Sequence, residues 1–461
     1  MKYILYLFFL FPNFTYSQNT IISTDNYSGV LGVLVNPAHS ANTPYKLDIN
    51  LFSNSSVFTN NVTNIDYAAI VKDVNVGFKD FELLSKSNNS NINSFLKDLG
   101  FGDFESYLYN FNATKNSFGY LNSTTLGPSF LLAINPRSSF SFASALRVQG
   151  LTYNLNGYFL SKDNTIGSID DFLDFQKNNF RGYGQTFSWG ELGLSYATII
   201  RHDYDKLWKF GLTLKFLKGI KTFSFAMNDF QSTLNYYIPN PLQSTLDVFG
   251  VITVQNSSNG ANYGQALDFG FTFEKNRKHY HSFYKDKSNN IHLNTVAYQY
   301  KLSFSVTDLG FINFNNVRKK NNLVDFTLPN NTINYYSYLT IDKEQKHEKV
   351  SYILPTTIHL NFDYNLGKHF FMNTNLDYFP LNGKKLEYIK SISNFSFSTR
   401  FETLKFTCSS YLNYDSFGSL TTGLYLRTGY FFMNSSFILD SKRFNMNQDQ
   451  ISLGFKIPFY Q

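Results

Sequence analysis

An all-β fold is what this sequence predicts: a transmembrane antiparallel β-barrel of about 14 strands, preceded by an N-terminal segment that a resemblance given below makes plug-like. Three observations predict it. Apolar and polar residues alternate along long segments from Tyr45 to the end, the period of a strand with one apolar and one polar face. The connections between these segments alternate short and long, as in a barrel with tight turns at one rim and long loops at the other. The chain then stops on such a strand, ISLGFKIPFYQ over 451–461, where Leu453, Phe455, Ile457 and Phe459 are set against Ser452, Gly454 and Lys456.

Composition narrows the class further. With 43% hydrophobic and 16% charged residues and a mean hydropathy of -0.24, the chain is too polar for a bundle of membrane helices. Each such span needs roughly 20 consecutive apolar residues, and no run of that kind follows the N-terminus. A barrel strand hides its apolar half behind alternation, so its mean hydropathy stays near neutral. The 50 Phe and 33 Tyr also fit a coding bias toward Phe, Tyr, Asn, Ile and Lys, but bias alone cannot create alternation. The net charge of +7 is dispersed. Its densest patches, Val317-Arg318-Lys319-Lys320 and Gly383-Lys384-Lys385, sit in Asn-rich turn sequence, so solvated loops against anionic headgroups are expected and nucleic acid is not.

In chain order, residues 1–17 read as a signal peptide. Lys2 supplies the positive start, Ile4 to Phe11 the apolar stretch, and Thr15-Tyr16-Ser17 a small-x-small site before Gln18. No Cys follows the site, which argues against a lipid anchor, and the single Cys408 allows no internal disulfide. Residues 18–44 form an N-terminal periplasmic or plug segment without sustained period. Residues 45–461 are the outer-membrane barrel. Leu47, Ile49 and Leu51 open the alternation; Leu192, Leu194 and Tyr196, then Phe210, Leu212, Leu214 and Phe216, then Ile358, Leu360 and Phe362 continue it. Asn135-Pro136-Arg137-Ser138, His202 to Lys206, Leu366-Gly367-Lys368 and Glu402-Thr403 are tight turns. Long extracellular loops are expected at 73–118, 162–181, 222–264 and 315–350, with Phe81 to Leu99 and Ile169 to Gln176 at helical spacing inside two of them. Asn276 to Asn294 breaks the rule by being long on the short-turn side.

Closure gives the tail its meaning. An unpaired strand edge in lipid leaves N–H and C=O groups that nothing satisfies, so the last strand must pair with the first. Ser452, Gly454, Ile457 and Phe459 resemble the C-terminal assembly signal of Gram-negative outer-membrane barrels. Gly29-Val30-Leu31-Gly32-Val33-Leu34-Val35-Asn36-Pro37-Ala38 looks like the Asn-Pro-Ala box of FadL-like transporters and their Bacteroidota relatives. Thr307-Asp308-Leu309-Gly310-Phe311-Ile312, Leu354-Pro355-Thr356-Thr357 and Ser398-Thr399-Arg400-Phe401-Glu402 resemble motifs of an uncharacterised Bacteroidota outer-membrane barrel family. That resemblance implies a FadL-like barrel with an N-terminal plug. It also implies larger members with an OmpA-like periplasmic domain after the barrel; this chain is expected to end at the barrel strand without it. It carries no fatty-acid substrate with it.

Projected onto a barrel, alternation sends Arg147, Glu191, Lys215, Asp268, Glu274, Lys301, Asp363, Asp377, Arg400, Glu402 and Arg427 into the lumen. Facing lipid at mid-depth, an Arg or Lys costs about 2–4 kcal/mol. Two readings stand: the charges pair across the lumen and brace the wall, or they form a polar constriction. Rings of one sign mark a selective ion pore, and the mixture of signs argues against one. Asn36, Pro37 and Ala38 are the plug candidates, with Pro37 stiffening a bend that needs no ladder partner. That bend either leads the chain into the wall or lines a gate.

Gly-x-Ser-x-Gly, His-Glu-x-x-His and P-loop patterns are missing, so no enzyme and no cofactor is expected. His279, His281 and His292 lack the partner ligands a metal site needs, and a solvated turn is the expectation. Cys408 shares the outward parity of Phe406 and Leu412. The leading functional expectation is a passive FadL-like channel for small apolar solutes in the cell outer membrane. The alternative is a non-conducting scaffold or accessory barrel for a secretion or surface complex. A third is a hydrolase whose Ser, His and Asn assemble from separate strands. Outer-membrane lipid and lipopolysaccharide, the barrel-assembly machinery and a surface or secretion complex are the expected partners.

Overall fold

In a computed structural model of the protein, the structure describes residues 22, 24–60, 64–65, 108–109, 117–155, 182–203, 205–235, 245–258, 260–278, 283–285, 291–293, 296–329, 344–367, 369–380, 386–438 and 447–460. The expected signal peptide and both helical stretches lie outside these residues. The main sheet has 17 strands, and because three staves are each made of two consecutive strands, it forms a closed antiparallel ring of 14 staves.

The staves, in chain order, are β1 (Tyr45–Asn60), β2 (Ser117–Leu126 continued by Ser129–Asn135), β3 (Ser138–Leu155), β4 (Tyr183–His202) and β5 (Lys206–Asn235). Then come β6 (Thr245–Ser258 continued by Tyr263–Asn276), β7 (Tyr298–Pro329), β8 (Glu344–Ile353 continued by Thr357–Gly367), β9 (Phe370–Tyr378) and β10 (Asn394–Glu402). The last are β11 (Phe406–Asp415), β12 (Leu420–Thr428), β13 (Phe431–Ile438) and β14 (Asn447–Tyr460). The start of β1 and the finish of β14 lie at the rim of short turns, the turn end; the opposite rim is the loop end. The long turn-end connection between β6 and β7 carries a small hairpin of Phe283–Lys285 and Ile291–Leu293.

Burial is inverted relative to a water-soluble sheet. Leu214, Phe216, Leu302, Phe304, Leu360, Phe362, Leu412, Leu424 and Phe455 are exposed, whereas Lys215, Ser303, Asp363, Asn413, Arg427 and Lys456, on the same strands or their neighbours, are buried. A continuous apolar outer band over a polar interior is stable only where hydrocarbon is the outer solvent. Cys408 is half-buried, on the outward side.

Two of the four expected loops are corrected by the structure. Most of 222–264 and 315–350 is ladder: β5 runs 30 residues and β7 32, while spanning lipid takes about 9–11. The β6 stave fills the space between them along its whole length, pairing upper β5 and upper β7. The turn-rich Asn content of these segments masked an alternation, Phe223 exposed against Thr222 and Ser224 buried, that continues the strand beyond the apolar band.

β14 closes the ring on β1 from Tyr45↔Tyr460 to Phe52↔Phe455. Ser452 and Gly454 lie on the inner face, where Ser452 Oγ meets Ser55 Oγ at 2.7 Å, while Phe459 is exposed on the outer face. Deleting 451–461 leaves β1 with an open edge in hydrocarbon at several kcal/mol per unsatisfied group. We expect the truncated chain to lose the heat-modifiable electrophoretic shift of a closed barrel, and retention of that shift would show that the ring closes another way.

Candidate functional site

Residues 24–44 do not join the wall but thread the lumen at its turn end as a plug. A helical turn, Val30–Val33, leads to a 3-10 turn, Pro37–Ser40, whose cap is Asn36: its Oδ1 accepts the Ala38 amide at 2.9 Å. Pro37 fits there because the first position of such a turn has no use for an N–H. The Asn-Pro-Ala turn is seated in a notch made by two wall glycines that face each other across the ladder, Gly211 on β5 and Gly270 on β6. A Cβ on Gly211 would lie 2.4 Å from the Ala38 nitrogen, and one on Gly270 would lie 2.0 Å from Asn36 Oδ1. Only glycine permits so close a backbone approach.

Charges from the wall reach across to hold the plug. Arg427 Nε donates to Asp25 at 2.6 Å, and Tyr425 OH donates to the same carboxylate at 3.0 Å. Asn26 sits between Lys301, which donates to its Oδ1 at 2.7 Å, and Glu402, which accepts from its Nδ2 at 2.8 Å. Arg400 binds Asp363 at 2.9 Å and Glu402 at 2.5 Å, and Tyr298 OH donates to Asp363 at 2.7 Å. Lys456 donates to the Tyr27 carbonyl at 2.6 Å, and the Val30 amide donates to Asp48 at 3.1 Å. The Ser305 hydroxyl donates to the Val35 carbonyl at 2.6 Å. Burial draws the His39 pKa well below its ordinary value, aided by the charges of Lys301 and Lys209, so this plug imidazole is neutral and shares a 3.3 Å hydrogen bond with Ser303.

Farther up, a second cluster bridges β3 to β7. Arg147 meets Asp308 at 2.7 Å and Glu191 at 3.5 Å, while Lys215 meets Asp268 at 2.8 Å and Asp308 at 2.7 Å. Asp308 reaches the lumen through a bulge: its φ is 60°, and the β6–β7 register shifts beside it. Glu274 pairs with Lys209 at 2.7 Å and Asp377 with His359 at 2.6 Å. Thus all eleven lumen candidates lie on the inner face, each with a partner of opposite charge or an imidazole. Among the described residues the two signs are interleaved pair by pair and form no ring of one sign that would select ions.

The lumen candidates did not include Asp25, Asn26, Asp48, Lys209, Tyr298, Asp308, His359 or Lys456. Asp48, Lys209, His359 and Lys456 stand on the polar side of their strands, the parity that would have found them. Thr307 Oγ1, His359 and Asp377 stand in a line, 2.9 Å and 2.6 Å apart, the order of a hydrolase relay assembled from three strands. None of the described cavities is lined by Thr307, and the three groups tie β7, β8 and β9 together. His279 and His281 lie outside the described residues.

The loop end is filled differently. Inward side chains Phe187, Trp189, Leu217, Ile312, Phe314 and Tyr352 form an apolar cluster, and the segment 386–393 between β9 and β10 folds inward to complete it with Ile389. Ile389 and Glu387 bracket Ile353 with two backbone hydrogen bonds of 2.9 Å. Gln149 donates to the Lys390 carbonyl at 2.7 Å, and Tyr120 pairs with Ser391 at 3.0 Å. Lys390 Nζ lies 3.3 Å from the centroid of the Tyr183 ring, and burial pushes its pKa down to about 8. Among the described residues the lumen is thus occupied at the turn end by the plug and lined at the loop end by the inward-folded segment 386–393. The cavity beside the plug, between Asp25, His39, Lys209 and Lys301, is only about 30 Å³.

Comparison with known proteins adds three findings. A family model described as "Family of unknown function (DUF5723)" matches residues 37–436. No curated protein matches the chain. Among solved structures, the chain is similar to the toluene transporter TbuX of Ralstonia pickettii at 11% identity and a TM-score of 0.43, over 94% of this chain and 95% of that one. It is similar to the toluene transporter TodX of P. putida at 9% identity and 0.42, over 94% and 95%. A FadL homologue of Pseudomonas aeruginosa is similar at 11% and 0.42, over 93% and 94%.

Proposed function

The chain belongs to the family of unknown function DUF5723, and from the geometry of its lumen we propose that it is an outer-membrane barrel whose N-terminal plug gates passive passage of small apolar solutes. The observation that carries this reading is the seat of the plug. The lumen is obstructed by a separate segment resting in a glycine notch, held mainly by side-chain contacts to its backbone and polar groups, and no stave has to break for it to leave. The packed apolar cluster of Phe187, Trp189, Phe314 and Tyr352 beside the inward-folded segment supports an apolar solute, because a path opened along it would offer dispersion contacts and few polar partners. In this reading the turn end is periplasmic and the loop end faces outward.

Proteoliposomes provide the test. With the plug seated, uptake of a hydrophobic panel is expected to be slow. Deleting 19–44 is expected to raise it well above that of empty liposomes. No flux for any hydrophobic solute with the plug removed would overturn the proposal.

A scaffold is the second reading, favoured by the height of β5 and β7, which carry ladder far past the apolar band. Such a crown offers a partner a rigid platform. Recovery of the barrel alone from a mild-detergent pull-down would count against it.

A further inference from the structure

The wall carries an apolar groove of about 960 Å³ that is bordered on its outer face by exposed apolar side chains and reaches inward to Lys215, Thr356 and, from the connection between β9 and β10, Pro380 and Tyr388. It crosses β5 to β8 at the loop end of the apolar band, between Leu214, Phe216, Leu267, Leu309, Phe311 and Ile353. Its volume lies near the upper limit of the roughly 300–1,000 Å³ common for small-ligand sites. Two irregularities create it. β7 bulges at Asp308, and β8 is interrupted at Leu354-Pro355-Thr356, where Leu354 is wholly buried and Thr356 Oγ1 donates to the Asp308 carbonyl at 2.9 Å. The wall is drawn inward there, while Leu214, Phe216 and Leu309 remain about half exposed on either side.

Directly above the groove the same outward rows turn basic. On β5 the series Leu214, Phe216 continues to Lys218. On β8 Ile353 and Ser351 lead to Lys349, and on β7 Phe311 and Asn313 lead past a register shift to Arg318. Lys218, Tyr263, Asn313 and Ser351 form one lateral row across the four staves. Lys218 Nζ stands 4.3 Å over the Tyr263 ring and donates to the Gly260 carbonyl at 3.0 Å. Lys218, Arg318 and Lys349 are exposed; Glu348 is the one exposed acidic side chain among the described residues of this rim. An apolar trough beneath a cationic rim complements an amphiphile with an anionic head, and charge-assisted contacts to phosphate are the strong ones available to Lys and Arg.

We propose that this is a seat for one lipopolysaccharide molecule, with an acyl chain of its lipid A in the groove and a lipid A phosphate on Lys218, Arg318 and Lys349. The inference rests on the outer-membrane reading above, which puts the loop end in the outer leaflet, and does not depend on the plug.

Native mass spectrometry of the full chain in detergent tests it, using diphosphoryl lipid A, the same lipid dephosphorylated, and phosphatidylglycerol as probes. Diphosphoryl lipid A is expected to be retained in preference to both others. The triple variant K218E/R318E/K349E is expected to lower that retention about tenfold through lost charge-assisted contacts, with the heat-modifiable shift intact. Leu309→Trp, which fills the groove below the rim, is expected to lower it as well. Equal retention of the dephosphorylated lipid or of phosphatidylglycerol, or no response to charge reversal or to Leu309→Trp, overturns the seat. A chain folded and monodisperse without detergent would instead sink the outer-membrane reading beneath it.

Discussion

Gly211→Ala is expected to unseat the plug while the barrel stays closed. The added methyl would stand 2.4 Å from the Ala38 nitrogen and from the Pro37 carbonyl carbon, inside any van der Waals contact. These are backbone atoms of a turn fixed by Pro37 and the Asn36 cap, so they cannot rotate away as a side-chain tip would. Overpacking of this kind costs about 1–3 kcal/mol, and each ~1.4 kcal/mol is tenfold in the seated-to-free ratio. Gly193→Ala on the neighbouring β4 is the control, because its methyl would meet Thr213 at an ordinary 3.5 Å. With Ala38→Cys as reporter, labelling by an impermeant maleimide from the turn end is expected to rise severalfold for Gly211→Ala and to stay unchanged for Gly193→Ala. Leak of small solutes in proteoliposomes is expected to follow the same order. Equal labelling in the two backgrounds would mean that the notch does not hold the plug.

The strands from which this prediction starts are legible in the sequence because a barrel wall has one dominant constraint. Each residue faces hydrocarbon or lumen, and period-two alternation records that choice wherever the ladder is regular, as in β4, β5 and β10. Irregularity is where the record fails. Following Lys301, Ser303, Ser305 and Thr307 inward sends Asp308 to lipid, yet the bulge returns it to the lumen. A charge at the lipid parity of an otherwise apolar row, Leu302, Phe304, Val306, was the available sign of that bulge. The interruptions at Gly127-Pro128 and Leu354-Pro355-Thr356 are marked by a proline that cannot donate to the ladder, but because each half keeps its own alternation nothing in the residues says that both halves belong to one stave.

The site was less legible than the wall. Asp25 and Asn26 hold the plug, but they lie in a stretch without period, where nothing in the residues says which side chain meets which stave. Ile389 and Lys390 occupy a connection that reads as solvated loop, and their inward fold depends on partners such as Gln149, Tyr120 and Tyr183 that are distant in sequence. Gly211 and Gly270 are two of 27 glycines. Their pairing across the ladder, which makes the notch, appears only once register is known.

The contact between Asp25 and Arg427 is expected to give the second large effect, and its pH dependence is the informative part. Burial pushes the Asp25 carboxyl up, but the charge and hydrogen bond of Arg427, with help from Arg400 and the Tyr27 amide, outweigh it and hold the carboxyl below its ordinary value. A carboxyl held low only in the seated plug favours seating at every pH above the free value of about 3.9. That contribution fades as pH falls through the depressed value, and His39, whose pKa is drawn down only in the seated plug, adds a term that opposes seating once the free imidazole protonates, so the wild-type plug is expected to stay seated near neutrality and to begin loosening below the free imidazole value of about 6.5. Arg427→Met leaves a buried carboxylate without its counter-charge, at about 3–5 kcal/mol. Arg427→Lys is expected to rescue poorly, because the guanidinium also donates to the carbonyls of Thr403 and Leu404 and to Thr407, a fork an ammonium cannot reproduce. In Arg427→Met the sign of the pH response inverts. Burial now dominates, protonation of Asp25 relieves the unpaired charge, and seating improves as the medium is acidified from neutral. Maleimide labelling of the Ala38→Cys reporter in a His39→Gln background, normalised at each pH to the rate for free cysteine because the thiolate is the nucleophile, and followed from neutral pH down to about the free carboxyl value, reads this directly: flat with Arg427 in place and falling on acidification for Arg427→Met. Parallel curves in the two backgrounds would show that Asp25 is not what couples the plug to the wall.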